Sequence, residues 1–261
     1  QQGVFGGVDF TLHKGEILGI SGLVGAGRTE LVKAILGIEH ITEGTITYKG
    51  EKIVNKNFKE AIQRGFGLVP ESRKEQGLVQ MFSVKENICM VSMDKVIEGG
   101  VIRNSKVKEY AGEYVKKLRI ATPGIDTEVQ YLSGGNQQKV VIAKWLYSDA
   151  DIYIFDEPTR GIDVGARDEI YNIMYDLIAK GASIIMISSD LVEVLKMSDR
   201  VVVMREGRIN GIVENDGMLT QEETMKMELA EEEKHEENKT TTLVALIFYW
   251  RTHYPSTKSQ C

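Results

Sequence analysis

The sequence predicts an α/β protein with a mostly parallel, doubly wound sheet, and two observations support this. Short apolar strand patterns alternate with helical patterns along most of the chain, which is typical of parallel sheets with helices on both faces. Strand-to-helix junctions also carry glycine-rich and acidic motifs of the kind that bind phosphate and Mg²⁺. The same junctions therefore predict both the fold class and the candidate chemistry.

Composition limits the classes of protein that fit. The 261 residues suffice for one large α/β domain or two small ones. A net charge of −6, without a long Lys/Arg block, argues against a nucleic-acid partner. Cys89 and Cys261 lie far apart without a metal-binding pattern, which favours a reducing cytoplasm. The longest apolar run, residues 243–250, is shorter than the roughly 20 residues that span a bilayer.

The first phosphate motif is Gly-Leu-Val-Gly-Ala-Gly-Arg-Thr at residues 22–29, between a buried-strand pattern and a helix. Its spacing fits the P-loop pattern Gly-x-x-x-x-Gly-Lys-[Ser/Thr], except that Arg28 stands at the lysine position. Glycines let phosphate approach the backbone, and the Thr29 hydroxyl suits Mg²⁺. The candidate ATP-binding residues here are Gly22, Gly25, Ala26, Gly27, Arg28, Thr29 and Glu30. A tight strand-to-helix turn without a ligand is the alternative interpretation.

Two further motifs lie about 20 residues apart. Residues 131–139 read Tyr-Leu-Ser-Gly-Gly-Asn-Gln-Gln-Lys and precede an apolar helix, whose N-terminal N–H groups are suited to an anion. Residues 152–159 form a buried-strand pattern that ends in two acids. Asp156 is placed to hold Mg²⁺, and Glu157 to polarise a water molecule. ATP and Mg²⁺ are therefore the predicted cofactors.

In this order and at this spacing, the two motifs resemble the signature and Walker B motifs of ABC-type ATPases. The resemblance implies a P-loop NTPase of ABC type: a mostly parallel RecA-like sheet core, an antiparallel β subdomain, and an α-helical subdomain at about residues 80–147. It also implies that two nucleotide-binding domains face each other head to tail, with each ATP between them. The residues that would contact ATP across that interface are Ser133, Gly134, Gly135, Gln137 and the D-loop residue Asp163.

Three positions depart from the general family pattern. Arg28 replaces the P-loop lysine, and Arg is longer, planar and forked. Ser189 stands where the family's switch histidine would contact the γ-phosphate, so the expected catalytic residues are Glu157 and Ser189. Glu71 stands at the Q-loop glutamine, where a carboxylate could meet Mg²⁺ or water. Residues 71–77 are the candidate segment for coupling ATP to a permease, with Arg73 and Lys74 read either as part of it or as solvated charge.

The finer sequence pattern resembles the second ATPase domain of the tandem ATP-binding subunit of bacterial monosaccharide importers of the ribose, galactose and xylose type. The matching stretches include residues 22–31, 69–74, 132–139 and 156–165, within a resemblance that runs from about residue 4 to 219. It implies an energising ATPase at the cytoplasmic face of the plasma membrane. Its implied partners are a transmembrane sugar permease and, through it, a periplasmic or extracellular sugar-binding protein. Arg28 and Ser189 are typical of that second domain.

The expected domains are a nucleotide-binding domain at residues 1–218, and a C-terminal helix with an irregular tail at 219–261. Relative to the family, the first domain and the opening strand are missing, so the chain looks like a piece of a longer polypeptide. Three alternatives to an energising ATPase stay open. They are a regulatory half that donates its signature to a partner's site, a soluble ABC ATPase of repair or translation, and a truncated gene fragment.

Overall fold

The structure, a computed structural model, describes residues 6–230 and the backbone of residues 245–249. The strands are β1 (Asp9–His13), β2 (Ile17–Gly22), β3 (Thr45–Tyr48), β4 (Glu51–Ile53), β5 (Phe66–Val69), β6 (Ile97–Glu98), β7 (Val101–Ile102), β8 (Ile152–Asp156), β9 (Ser183–Ile187), β10 (Arg200–Arg205), β11 (Arg208–Glu214) and β12 (Ala245–Tyr249). The α-helices are α1 (Arg28–Ile35), α2 (Phe58–Gln63), α3 (Val84–Cys89), α4 (Asn104–Lys117), α5 (Gly134–Tyr147), α6 (Val164–Ala179), α7 (Leu191–Met197) and α8 (Gln221–Leu229). A π-helical turn lies at Arg73–Gly77, and 3₁₀ turns lie at Met90–Val96 and Val129–Tyr131.

A six-stranded sheet forms the centre of the fold, in the order β11-β10-β2-β9-β8-β5. Strands β10, β2, β9, β8 and β5 pair in parallel, and the edge strand β11 pairs antiparallel with β10. Every residue of β2, β8 and β9 is buried, as expected for parallel strands that are covered on both faces. The predicted mostly parallel α/β core is confirmed.

Both faces of this sheet carry an apolar core. Along β9, Ile184 and Met186 belong to one apolar cluster, whereas Ile185 and Ile187 belong to the other, because successive strand residues point to opposite faces. Strands β2, β8 and β9 run in the same direction, so the loops that follow them lie at one edge of the sheet. Ligands of open α/β sheets bind at this carboxyl edge.

A smaller sheet has the order β1-β12-β3-β4. Strands β3 and β4 pair antiparallel through a two-residue turn, Lys49 and Gly50, whose φ angles of 52° and 84° suit a type I′ hairpin. Strand β12 pairs in parallel with both β1 and β3, so this sheet is mixed, with its antiparallel pairing between β3 and β4.

Strand β12 also differs from the expectation of an irregular tail. Its sequence, Ala-Leu-Ile-Phe-Tyr, is rich in β-branched and aromatic residues that favour strands, and β1 and β3 each provide a backbone edge for it. The other residues of that predicted tail, 231–244 and 250–261, lie outside the described residues.

Helices α3, α4 and α5 pack together and lie within residues 84–147. Helix α3 begins with a capping box, in which the Ser83 hydroxyl accepts from the Glu86 N–H and the Glu86 carboxylate accepts from the Ser83 N–H. Among the helices of residues 6–230, none is both long and apolar enough to cross a membrane.

Helix α8 follows the core and packs against β10 and β11. Thr220 and Glu223 form the capping box at its start. Near its end, the buried carboxylate of Glu228 accepts a hydrogen bond from the Ser21 hydroxyl. Because Ser21 lies in β2, this bond ties α8 to the strand that leads into the P-loop.

Candidate nucleotide-binding site

A cleft of about 370 Å³ opens at the carboxyl edge of the central sheet. It lies where β2, β8 and β9 end, and it brings together residues from four separate segments of the chain. Its lining residues are Val24, Gly25, Ala26, Gly27, Arg28, Thr29, Glu30, Glu71, Asp156, Glu157, Arg160, Ile187 and Ser189. Most of the residues predicted from the P-loop, Q-loop, Walker B and switch motifs therefore share one cleft.

The P-loop backbone depends on its glycines. Gly22, Gly25 and Gly27 have φ angles of 154°, 85° and 90°, a region that side chains disfavour. A Cβ on Gly22 would also lie 2.3 Å from the Met204 carbonyl oxygen. The loop leads directly into α1, so successive N–H groups and the helix N-terminus face the cleft. Such an arrangement suits phosphate.

Arg28 is turned toward the end of the Walker B strand. Its side chain is 9% exposed, and Nη1 donates to the Ser188 carbonyl oxygen at 2.7 Å. Nη2 lies 3.9 Å from Glu157 Oε1. The guanidinium therefore bridges two loops of the cleft, a contact that the single ammonium of a lysine cannot reproduce with the same geometry.

Glu157 is held in one orientation by Ser189. Its backbone has a φ of 51°, which is uncommon for a residue with a side chain and recurs at functional sites. The carboxylate accepts the Ser189 N–H at 2.7 Å and the Ser189 hydroxyl at 3.1 Å. Burial raises the pKa of Glu157, and the Ser189 hydrogen bonds and the charge of Arg28 act against that shift.

Asp156 and Thr29 fit a bound Mg²⁺. Asp156 is 4% exposed, and its Oδ2 accepts from the Thr29 hydroxyl at 3.2 Å. Its Oδ1 is buried without a hydrogen-bond partner. Burial raises the pKa of Asp156 to about 6. An unpaired buried carboxylate oxygen beside a hydroxyl is a suitable donor set for a hard cation.

Within the described residues, no cluster of three or more His, Cys, Asp or Glu side chains could hold a metal by itself. Mg²⁺ here would need oxygens from phosphate and water as well. This matches the usual behaviour of Mg²⁺, which is held by one or two carboxylates together with a substrate phosphate.

Glu71 forms an ion pair with Arg160 across the mouth of the cleft. Both side chains are exposed, so the pair contributes little stability. It does place a cation against a carboxylate that would otherwise repel phosphate in the absence of a metal ion. The charge of Glu71 is therefore balanced within the chain.

The predicted signature and D-loop residues lie outside this cleft. Ser133 occupies the N-cap position of α5 without a side-chain capping hydrogen bond, and Gly134 and Gly135 are the first residues of the helix. Asp163 caps α6, where its carboxylate accepts the Ala166 N–H at 3.0 Å. A Cβ on Gly135 would lie 2.9 Å from the Ala166 Cβ, so the starts of α5 and α6 are in close contact and form a second group of candidate residues.

Gln137 does not present its amide to a ligand. Its side chain is 3% exposed, and Nε2 donates to the Val129 carbonyl oxygen at 3.0 Å. The position lies one helical turn after Ser133, on the side of α5 that faces the core. Although Gln137 lies close to the signature motif in sequence, its side chain is buried and does not lie on a surface that could face a ligand.

Sequence reasoning missed Glu193, which is 3% exposed and lies on α7. It accepts the Thr159 hydroxyl at 2.8 Å and also the Ser188 hydroxyl. It thus joins the loop after β8 to the loop after β9. A single glutamate in an amphipathic helix gives no signal of such a contact.

A match between this sequence and a model of a known protein family identifies the family of the chain. Residues 5–160 match the family model for the ABC transporter. The chain belongs to the ABC transporter family. It is an ATP-binding domain of that family, whose members bind ATP with Mg²⁺ and generally hydrolyse it. The cleft described above holds the P-loop and Walker B residues of this ABC domain.

The ABC domain is similar to two sugar-import proteins. It is 45% identical over 226 residues to the ribose import ATP-binding protein RbsA of Geobacillus kaustophilus. It is 51% identical over 205 residues to the xylose import ATP-binding protein XylG of Thermoanaerobacter pseudethanolicus. The matches cover 87% and 78% of this chain but 46% and 41% of the relatives, so the chain spans less than half of their length.

Solved structures share its fold. A nucleotide-free ATP-binding cassette from an ABC transporter matches with a TM-score of 0.73 and 23% identity, covering 88% of this chain and 96% of that one. A dimeric ATP-binding cassette in a post-hydrolysis state, bound to ADP and Pi, matches with a TM-score of 0.69 and 20% identity, covering 79% and 88%. These likenesses establish the cassette fold.

Proposed function

We propose that this chain is a nucleotide-binding domain that energises a sugar importer, and that it corresponds to the second, degenerate ATPase domain of a tandem subunit. The similarity to ribose and xylose import ATP-binding proteins supports the sugar importer. The degenerate assignment is carried by one observation. Arg28 contacts Ser188 and Glu157, while Ser189 binds Glu157, so both unusual residues engage the catalytic carboxylate.

In this proposal, the backbone of Gly22, Gly25, Ala26 and Gly27 and the N-terminus of α1 bind the phosphates of ATP. Thr29 and Asp156 hold Mg²⁺, and Glu30 and Glu71 border the same cleft. Bound Mg²⁺ supplies positive charge that neutralises the phosphate oxygens. The burial of Asp156 supports this role, because a cation would stabilise the carboxylate in its ionised form.

Glu157 is the residue proposed to polarise the attacking water. Ser189 orients the carboxylate through two hydrogen bonds, but its hydroxyl cannot carry the positive charge that a histidine could place near the γ-phosphate. Loss of one well-positioned catalytic group reduces rates by roughly 10²- to 10⁴-fold. We therefore propose slow turnover at this chain's own site.

The signature residues Ser133, Gly134 and Gly135, with Asp163 of the D-loop, are proposed to act on ATP held by a second nucleotide-binding domain, head to tail. Their location outside the cleft supports this arrangement. The proposed domain covers residues 1–218, with residues 219–261 as a C-terminal extension. Its further partners are a transmembrane sugar permease and, through it, a periplasmic or extracellular sugar-binding protein, at the cytoplasmic face of the plasma membrane.

A regulatory role is the second candidate. The Glu157 carboxylate already accepts two hydrogen bonds from Ser189 and faces Arg28, so all three groups are engaged with one another. A chain of this kind would hold nucleotide with little hydrolysis and would donate its signature to a more active partner site.

The first test is a calorimetric titration of the folded 261-residue chain with MgATP, beside a Thr29→Val variant. We expect binding by the wild type, with a Kd on the order of micromolar to millimolar. The variant keeps the shape of Thr29 but loses the hydroxyl, so it should lose the Mg²⁺-dependent part of the affinity. A folded wild-type chain that releases no heat with MgATP would contradict nucleotide binding at the Arg28 P-loop.

Turnover then separates the two candidates. If Glu157 polarises water, Glu157→Gln should abolish whatever phosphate release the wild-type chain shows, while MgATP binding is retained. Phosphate release that is unchanged by Glu157→Gln would contradict the catalytic assignment. Retained MgATP binding with no wild-type turnover would favour the regulatory candidate.

A further inference from the structure

The Arg73 side chain lies outside the cleft and joins its own π-helical turn to the D-loop and to the start of the signature helix α5. Arg73 begins the π-helical turn Arg73–Gly77, two residues after Glu71. Its Nη1 donates to the Arg160 carbonyl oxygen at 3.2 Å, and its Nη2 donates to the Gly161 carbonyl oxygen at 3.3 Å. The guanidinium thus bonds two successive carbonyl oxygens of the D-loop. Arg73 is therefore not simply a solvated charge, which was one of its two interpretations from the sequence.

The same guanidinium lies against the first residue of the signature helix. A Cβ placed on Gly134 would be 2.8 Å from Arg73 Nη2 and 3.4 Å from Arg73 Cζ. Gly134 lacks the positive φ that favours glycine, and alanine is otherwise a better helix former. The position of Arg73 is therefore a steric reason for glycine at residue 134, separate from any contact with phosphate.

The far end of the turn is fixed to the same helix. Lys144, buried on α5, donates to the Gly77 carbonyl oxygen. A Cβ on Gly77 would lie 2.9 Å from a Val141 side-chain carbon. The turn therefore contacts α5 at both ends. Single π-helical turns of this kind occur frequently at functional sites.

We propose that Arg73 is a positioning residue that joins the π-helical turn, the D-loop and the start of the signature helix into one unit. Its planar fork can bond two neighbouring carbonyls at once, whereas a lysine has one compact charge on a flexible stem. Displacement of the turn would therefore displace the signature and the D-loop together. The roles of these two loops toward ATP rest on the proposed function, but the contact itself does not.

A double-mutant cycle on the 261-residue chain tests the contact. The effect of Gly134→Ala on the Tm should be about 2–4 °C less favourable in the wild-type background than in the Arg73→Ala background, as for a difference near 1 kcal/mol in a domain of this size, because the new methyl group displaces the guanidinium. In the Arg73→Ala background the same substitution should leave the Tm unchanged or raise it. An equal Tm change in both backgrounds would overturn the inference.

Amide hydrogen exchange locates the effect. Arg73→Ala should speed exchange at the hydrogen-bonded N–H groups of Arg160 and Ile162 in the D-loop and of Gln137 at the start of α5. Arg73→Lys should not restore slow exchange at all three. Lys74→Ala is the matched control, because it removes an exposed positive charge from the same turn. Faster exchange confined to residues 73–77, or equal effects of Arg73→Ala and Lys74→Ala, would contradict the proposal.

A kinetic measurement distinguishes positioning from nucleotide binding. Arg73 does not line the cleft, and the signature is proposed to act on ATP held by a second domain. In a head-to-tail pair of this chain, Arg73→Ala should therefore lower kcat for ATP by roughly ten- to a hundredfold and leave KM near the wild-type value. An increase in KM with unchanged kcat would contradict the positioning role. A wild-type chain without MgATP binding or turnover would refute the proposed function, and the cycle and the exchange experiment would still decide whether Arg73 forms this unit.

Discussion

Replacing Ser189 by alanine tests whether Ser189 holds the Glu157 carboxylate in its ionised form. The substitution removes the hydroxyl that donates to Glu157 Oε2 at 3.1 Å, while the Ser189 N–H can still donate to Oε1. Burial raises the pKa of Glu157, and the Ser189 hydrogen bonds oppose that shift. The variant should therefore raise the pKa of Glu157 further.

The magnitude follows from the difference between charged and neutral hydrogen bonds. A bond to a charged group contributes about 1.5–3 kcal/mol and one to a neutral group about 0.5–1.5 kcal/mol, so the pH-dependent part is about 1 kcal/mol. An acid with a raised folded-state pKa lowers stability once the pH exceeds its unfolded pKa. Ser189→Ala should therefore be about 1 kcal/mol more destabilising at pH 8 than at pH 4, or about 2–4 °C in Tm.

The assay is urea or thermal unfolding at both pH values, with Ser148→Ala as the control. The Ser148 hydroxyl donates to the Trp145 carbonyl oxygen at 2.7 Å, and a carbonyl does not titrate. The stability loss from Ser148→Ala should therefore be the same at pH 4 and pH 8. A Ser189→Ala effect with no more pH dependence than the control would refute the reasoning about Glu157.

Two further predictions concern other buried groups of the cleft. Burial raises the pKa of Asp156 from 3.8 to about 6, so without Mg²⁺ stability is lost as the pH rises from 3.8 to about 6 and stays lower above that range. Asp156→Asn should therefore stabilise the chain by about 2–3 kcal/mol at pH 8. Unfolding curves should show that gain vanish near pH 4, and MgATP should stabilise only the wild type. Gly22→Ala should cost about 1–3 kcal/mol, because its Cβ would lie 2.3 Å from the Met204 oxygen, whereas Gly25→Ala, with open space around it, should cost less in the same melts.

The features predicted well from the sequence are those with strong local signals. The parallel core follows from alternating strand and helix patterns. The P-loop, Asp156 and Glu157 were predicted to share one chemistry, and they line the same cleft. They do so because strands of one direction bring the loops after β2 and β8 to one edge.

Features that depend on tertiary contacts were not predictable in this way. Gln137 lies next to the signature glycines in sequence, but the helical period turns it into the core. Glu193 acquires its partners only when β8 and β9 lie side by side. Strand β12 forms because two strand edges accept it, and those edges are created by folding. The local pattern favours a strand at β12 and a helix at Gln137, but it does not specify the partners that these residues and Glu193 contact.

Two of the three departures from the family pattern, Arg28 and Ser189, are better understood together than separately. Considered alone, Arg28 replaces a lysine with a longer side chain, and Ser189 replaces a histidine with a side chain that cannot carry a positive charge. In the structure both reach Glu157, with Arg28 at 3.9 Å from Oε1 and Ser189 hydrogen-bonded to both carboxylate oxygens. Arg28 carries the same charge as the lysine that it replaces, but its longer fork places that charge near Glu157 Oε1, so the two substitutions act on the same carboxylate. The guanidinium also donates to the Ser188 carbonyl oxygen, and this shared engagement of Arg28 and Ser189 is what supports the slow turnover that we propose for this site.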